Sequence, residues 1–338
     1  MSATDGRVRV AVLGSGGWAR RTHIPNLQKL DVDIVALCDV NDEAAQQATD
    51  EFDIPSRYRD GYEMIATESI DALYSCLPAF ARTGIEAAAA RDGIHLFSEK
   101  PQSTSMSVAR QIVAAVDAGK VLSTVCFRER YRPLFQEAKR RLADKTVVHA
   151  RFQSFGGQPR SRERGEHLKS GWHDWMSKAG GRAFDWGVHA VDYLRFMTGL
   201  DVATSQAFYH STESYVTPLS SSFNLVFSTG ATATLSFVSA GSVPPAEPWF
   251  TVFHEGGYLA IFGYVRIEEN GEVVYEADEF DPWFEQDRVF VDAVRSGDGS
   301  ALLNDYTDGL KSLAPVLAGW SSSARGGRPV DVDAFAAA

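Results

Sequence analysis

A chain of 338 residues, 44% hydrophobic and 23% charged, is long enough for two folded domains with sizeable cores. Its net charge of −11 argues against nucleic acid as a partner, and its richest basic stretch, Arg128 to Arg141, has the helical spacing of a solvated helix face. No apolar run reaches the roughly 18 to 20 residues of a membrane helix, and Met1 to Arg9 lacks the apolar core of a signal peptide, so a cytoplasmic protein without a membrane partner is expected.

From residue 7 to 126, short β-rich runs alternate with helix-like stretches, the pattern of a doubly wound parallel sheet with crossover helices. The predicted strands are Val8–Leu13, Asp33–Cys38, Ala72–Leu77, His95–Ser98 and Val121–Phe127, with a weaker one near Arg57. Between them, Glu43–Glu51, Thr83–Arg91 and Ser105–Ala118 carry Ala and charge at helical spacing, with Gly93 and Gly119 as helix stops. Cys38, Cys76 and Cys126 are odd in number and each falls in or at the end of an apolar strand-like run, which predicts buried thiols rather than disulfides or a metal site.

A helix from Pro133 to Leu142 and a strand from Val147 to Phe155 come next. A polar loop ending near Gly180, unusually long for a connection, leads into a helix from Arg182 to Thr198. From Val202 to Ala277 the residues alternate: Ala231, Ala233, Leu235 and Phe237 on one face, Thr232, Thr234 and Ser236 on the other, as in an antiparallel sheet. Turn signals at Ser228-Thr229-Gly230, Glu255-Gly256-Gly257 and Glu269-Asn270-Gly271 separate its strands, and helices at Pro282–Arg295 and Tyr306–Ser322 close the chain. The expected architecture is α/β: an N-terminal Rossmann domain over residues 1–126 and a C-terminal α+β domain with a large, mostly antiparallel open sheet over 127–338.

Gly14-Ser15-Gly16-Gly17-Trp18-Ala19 follows the first strand and opens a helix, the setting a dinucleotide fingerprint requires. Gly14 permits the tight turn, Gly16 lets the backbone approach a pyrophosphate, and Ala19 lets the helix pack on the sheet. The pyrophosphate would rest on free amides at the helix's positive end. Asp39 ends the second strand, where a carboxylate accepts ribose hydroxyls and repels a 2′-phosphate. No Arg or Lys lies in Val40 to Gln47, so NAD is favoured over NADP. A cap for the helix that follows is the alternative role for Asp39.

Lys100, in Glu99-Lys100-Pro101, follows the fifth strand at the edge where open α/β sheets place ligands, and would face the nicotinamide; an ordinary surface lysine is the alternative. Further on, Gly180-Gly181-Arg182-Ala183-Phe184-Asp185-Trp186-Gly187-Val188-His189 puts Asp185 and His189 on one helix face, with Asp192 continuing the stripe. A solvated face is the alternative there. Gly180, Gly181 and Gly187 lower its weight, because helical glycine is unfavourable unless packing or a ligand needs the room.

Taken together, these residues resemble the family of glucose-fructose oxidoreductase, inositol dehydrogenase and their relatives. The likeness rests on the Gly14–Ala19 loop, Cys76-Leu77-Pro78, Glu99-Lys100-Pro101, Phe127 with Arg130-Tyr131, Gly180–His189 and the closing Asp305-Tyr306-x-Asp308-Gly309-Leu310. The resemblance implies a cleft between the domains where a sugar or cyclitol meets the nicotinamide, and homodimers or homotetramers. It further implies that Lys100 binds the reacting hydroxyl, that His189 is the acid/base, and that Asp185 contacts substrate or orients the histidine. The chemistry agrees: a histidine exchanges protons near neutral pH, and an ammonium steadies developing alkoxide charge.

The expected cofactor set is thus Gly14, Ser15, Gly16, Gly17, Trp18, Ala19, Asp39, Leu77, Pro78, Glu99 and Lys100, and the expected substrate set is Lys100, Arg128, His173, Trp175, Asp185 and His189. Arg82 stands where family members with a Pro-x-x-x-His segment have histidine, and the loop from Gln158 to Lys178 matches no family motif. The expected activity is NAD-dependent hydride transfer at a secondary carbon of a sugar, sugar derivative or cyclitol. Two alternatives remain at this stage: an enzyme that keeps NAD bound and oxidises a sugar transiently to cleave a bond, and a non-catalytic NAD-binding regulator.

Overall fold

The computed structural model describes residues 6–165, 181–242, 244, 245 and 247–338. The chain forms two compact units, one of residues up to 131 together with 281–310, the other of residues 132–280 together with 311–338. This differs from the expected single boundary after residue 126. Phe290 and Val291, on the helix Pro282–Ser296, complete the first unit's core alongside Val10, Tyr74 and Phe97. Phe290 meets the rings of Tyr74 and Phe97 edge-on, at 5.7 and 5.5 Å between centroids. Periodicity reveals that a helix has an apolar face, but not which core receives it.

In the first unit, six parallel strands run in the order β3-β2-β1-β4-β5-β6: β1 (Arg9–Leu13), β2 (Asp33–Cys38), β3 (Ser56–Tyr58), β4 (Ala72–Ser75), β5 (His95–Ser98) and β6 (Ser123–Val125). All six predicted strands form, but β4 and β6 are shorter than predicted. Their common neighbour β5 has four residues, and β-pairing stops where it ends. The left-handed residue after the helix Met106–Gly119 is Lys120 (φ 51°), not Gly119. The closing Asp305–Leu310 motif belongs to this unit: Arg130 pairs with Asp308 at 2.7 Å, and the Tyr131 hydroxyl accepts the Leu303 amide at 3.1 Å.

The second unit is built on a nine-stranded sheet in the order β14-β13-β12-β11-β7-β10-β9-β8-β15. Its strands are β7 (Val147–Gly156), β8 (Val202–His210), β9 (Ser220–Phe227), β10 (Thr232–Ser239), β11 (Phe250–His254), β12 (Gly257–Phe262), β13 (Arg266–Glu269), β14 (Glu272–Glu276) and β15 (Val330–Asp331). Among the described residues of this sheet, only β7 and β10 pair in parallel. Ala233, Leu235 and Phe237 are buried as the alternation predicts, with Phe223, Leu225 and Phe227 of β9 beside them. The Asn270-Gly271 turn joins β13 to β14 with both residues at positive φ, the backbone a two-residue hairpin prefers.

The helix Arg182–Thr198 covers part of this sheet. A Cβ at Gly187 would sit 3.1 Å from Val316 and 3.8 Å from Phe237, so packing rather than ligand approach explains this helical glycine. Among the described residues, no helix is long and apolar enough to cross a membrane.

Candidate active site

The glycine loop is clamped between strand ends. Gly14 has φ +97°, its amide donates to the Cys38 carbonyl at 2.8 Å, and an added Cβ would lie 3.2 Å from the Cys76 carbonyl and 3.3 Å from Leu77. Only glycine meets both demands. A Cβ on Gly16 would meet no protein atom within 4 Å, whereas Gly17 lies under the Arg21 guanidinium. Ala19 is fully buried, as helix-to-sheet packing requires. The helix opens with a π-wound turn, Ala19–His23, before its α-helical part, Ile24–Lys29. Trp18 is 41% exposed, and its ring centroid is 6.0 Å from that of Trp283. Pro78 introduces the short 3-10 turn Ala79–Ala81.

Asp39 bridges back to this loop. Its Oδ2 accepts the Ser15 amide at 2.7 Å and the Ser15 hydroxyl at 2.8 Å, while Oδ1 accepts the Asn41 amide at 2.9 Å. Asn41, not Asp39, caps the next helix, by accepting from the Ala44 amide. A carboxylate offers about four acceptor positions, so Asp39 retains capacity for a hydroxyl donor. Arg57, on the neighbouring strand, is turned to Asp42 at 3.4 Å. A positive-φ glycine, an unobstructed Gly16 backbone and an acid at the end of β2 fit a dinucleotide.

Lys100 follows β5 through a cis peptide to Pro101. Its amide donates to Glu99 Oε2 at 2.9 Å, and Glu99 Oε1 accepts from His23 Nε2 at 3.0 Å. On its other side, His23 Nδ1 donates to Asp287 at 2.9 Å, and Asn26 donates to the same carboxylate at 2.9 Å. All of these side chains are buried. Burial alone would lower the His23 pKa, but the charge and hydrogen bond of Asp287, with Cys126 and Glu99, raise it well above 6.5. Burial alone would raise Glu99, but the hydrogen bond and charge of His23, with Lys100 and Arg128 nearby, bring it down to about 2. The result is an imidazolium between two carboxylates, one of which holds the backbone of Lys100.

His23, Glu99 and Cys126 also bring metal-type ligand atoms within 4.8 Å of one another. Both ring nitrogens of His23 are already committed to carboxylates, so the cluster is a charge network. Burial pushes the thiols of Cys76 and Cys126 up to about 12 and that of Cys38 to about 11, and all three cysteines are free of disulfides.

Arg82 is a second anchor. Its buried guanidinium donates through Nη1 to Ser75 Oγ (2.6 Å), Glu86 Oε1 (3.0 Å) and Ser98 Oγ (3.1 Å), and through Nη2 to the Glu99 carbonyl. It thereby ties the end of β4 to the end of β5 and pairs with Glu86, both side chains being wholly buried. Arg128, expected at the substrate, lies over the Trp283 ring at 4.4 Å with its Nε 3.1 Å from Glu129.

In the second unit, His189 is 3% exposed and Asp185 is half-buried, one helical turn apart. The His189 ring lies between those of Trp186 and Tyr193, at 5.7 and 5.6 Å. Asp192, read as continuing their stripe, is fully buried and accepts Ser312 Oγ at 2.9 Å, while the same hydroxyl accepts from Arg195 at 2.8 Å. Asp192 is therefore part of the interior. His173, Trp175 and Gly180 lie outside the described residues. Before them, the Arg162 amide donates to the Ser214 carbonyl at 2.9 Å and the Val216 amide to the Arg160 carbonyl at 3.3 Å.

His23 and Asp287 escaped the sequence reading. They are 264 positions apart, and neither stands in a spacing that marks a site.

Residues 8–127 match the family described as "Oxidoreductase family, NAD-binding Rossmann fold", and residues 135–260 match the "GFO/IDH/MocA C-terminal domain". D-apiose dehydrogenase of Paraburkholderia graminis is 27% identical over 232 residues, 61% of this chain and 58% of that protein. The scyllo-inositol 2-dehydrogenase (NAD(+)) of Bacillus subtilis is 26% identical over 208 residues, 59% of this chain and 56% of that protein. The chain thus spans less than two-thirds of the length of either relative. Among solved structures, the WlbA dehydrogenase of Bordetella pertussis, in complex with NADH and UDP-GlcNAcA, is similar at a TM-score of 0.80 and 22% identity, over 96% of this chain and 98% of that one. With both of its domain types matched, the chain belongs to the Gfo/Idh/MocA oxidoreductase family.

Proposed function

We propose that this protein is an NAD-dependent dehydrogenase that moves a hydride between the nicotinamide and a secondary alcohol or ketone carbon of a sugar, sugar derivative or cyclitol. The observation that carries this reading is the acid at the glycine loop, Asp39 bonded to Ser15, in a Rossmann sheet whose β5 ends in an anchored Lys100. Sugar and inositol dehydrogenases among the relatives support the substrate class.

Bound NAD supplies the hydride acceptor. Gly14 to Ala19, Leu77 and Pro78 would hold it, with Asp39 on the ribose hydroxyls. Lys100, its backbone set by Glu99, would donate a hydrogen bond to the reacting oxygen and favour its alkoxide form. His189 would take the hydroxyl proton as hydride leaves carbon, with Asp185 contacting the substrate or orienting the imidazole. Arg128 is proposed to assist substrate binding from beside Trp283.

Following nicotinamide absorbance over a panel of sugars, cyclitols and their keto forms, with NAD and NADP in parallel, tests the reading. Turnover with NAD on at least one member is expected; product formed without net nicotinamide reduction, or no turnover at all, overturns it. Asp39→Asn, which keeps the shape and removes the charge, is expected to raise the NADP-to-NAD ratio of kcat/KM by about tenfold, or about 1.4 kcal/mol. An unchanged ratio would remove Asp39 from cofactor selection.

We also propose a homodimer or homotetramer assembled through the nine-stranded sheet. Phe208, Val226 and Phe253 stand exposed on its strands. Light scattering that returns a monomer mass would count against this assembly.

A further inference from the structure

The second unit contains a cavity of about 360 Å³ where the end of β7, the first turn of the helix Arg182–Thr198 and the approach to β11 converge. Its walls include Phe155, Trp186 and Trp249, with Gln153, Ser154, Arg182 and Glu247 as the polar members. The two indoles stand nearly perpendicular, 85° apart with centroids at 6.3 Å. Trp249 is buttressed by Tyr264 at 4.9 Å, and Tyr264 in turn carries the Arg132 guanidinium at 4.3 Å. The polar members are also held: Arg182 Nη2 donates to Ser154 Oγ at 3.3 Å, and Gln153 Nε2 donates to Glu247 and to the Pro248 carbonyl at 3.3 Å. Trp186 lines this cavity and also lies 5.7 Å from the His189 ring, so the cavity and the proposed acid/base share one side chain.

We infer that this cavity is a subsite for a second, neutral sugar ring, linked to the ring that reacts. The charges select the ligand class. Glu247 disfavours a phosphate or carboxylate and Arg182 disfavours a cation, while a guanidinium, a carboxylate and an amide together suit a rim of hydroxyls that both donate and accept. The aromatic walls suit the apolar face of a pyranose. The volume lies at the low end of the roughly 300–1,000 Å³ of small-molecule pockets, room for one ring rather than a nucleotide. The preferred substrate is therefore a glycoside or disaccharide rather than a free monosaccharide or cyclitol. This inference rests on His189 acting at the reacting carbon.

Steady-state kinetics with NAD on matched pairs, D-glucose with cellobiose and with trehalose, and D-xylose with xylobiose, test it. The expected result is a kcat/KM at least about tenfold higher for one disaccharide than for its monosaccharide. Trp249→Ala should collapse that ratio to about twofold or less, whereas Trp249→Phe, which keeps a ring, should hold most of it. NADH binding and thermal melting of both variants report that they are folded. Wild-type ratios at or below one on every pair overturn the subsite and leave the dehydrogenase reading standing. Absence of turnover on every sugar overturns that reading instead. The subsite is then decided by saturation-transfer NMR with cellobiose: signals from both rings that are lost in Trp249→Ala support it, and absence of binding to the wild type overturns it.

Discussion

His189→Ala is expected to lower kcat by about 10²- to 10⁴-fold, the usual range for losing a positioned general acid/base. The proton on the substrate hydroxyl must leave as hydride departs, and without the imidazole water must take it. His189 is buried between Trp186 and Tyr193, so alanine also opens a space in the helix packing. His189→Asn, which roughly fills that space without a titratable ring, separates the two effects: its melting temperature should stay near wild type while kcat falls as for alanine. Added imidazole should restore part of the alanine variant's rate and none of the asparagine variant's. Lys100→Ala should lose about 10²- to 10³-fold, as when one donor to a developing oxyanion is removed. A His189→Asn enzyme with near-normal kcat would remove His189 from the chemistry.

The second large effect is on stability. His23→Ala leaves Glu99 and Asp287 buried without their shared cation, and breaking a buried ion pair from one side costs about 3–5 kcal/mol. The pH dependence has a definite sign at each end. His23 has a folded pKa raised above its ordinary 6.5, so its stabilisation is complete below that value and fades as pH climbs through the folded pKa. Glu99 is depressed from 4.5 to about 2, so its stabilisation is complete above 4.5 and fades as pH falls towards 2.

Both contributions therefore operate in full from about 4.5 to 6.5. Denaturant unfolding across pH should show wild-type stability falling on either side of that window, with shallower limbs in His23→Ala. Asp287→Asn and His23→Ala should be strongly non-additive when combined, because they remove parts of one network. Wild-type stability in His23→Ala, or unchanged limbs, would show that the network adds nothing.

The network also bears on activity. Glu99 holds the Lys100 amide on one oxygen and His23 on the other, so disturbing a histidine on the first helix reaches the residue proposed to bind the reacting oxygen. Arg82 grips the same segment through the Glu99 carbonyl. Arg82 is thus a buried cation that joins two strand ends.

Local order was legible in the residues themselves. The glycine loop, the acid 25 positions beyond Gly14, the period-two run around Leu235 and the Asn270-Gly271 turn each act over a few residues. Backbone sterics and side-chain alternation express themselves at that range whatever the rest of the chain does. The role of Asp39 was narrowed only in three dimensions, because Asn41 performs the capping that spacing alone allowed Asp39 to do. Asp192 shows the same limit: helical spacing puts it beside Asp185 and His189, yet its partner Ser312 lies on another helix.

Thus the sequence by itself determined the two kinds of domain, and it singled out the loop proposed to hold the cofactor and the residues proposed to do the chemistry. Tertiary structure alone decided that residues 281–310 return to the first unit, that His23 stands between Glu99 and Asp287, and that Trp186 and Trp249 wall a cavity. The physical reason is that periodicity and turn chemistry act between near neighbours. A buried charge or a packed ring is satisfied by whatever the fold brings to it, and for His23 that partner is 264 residues away.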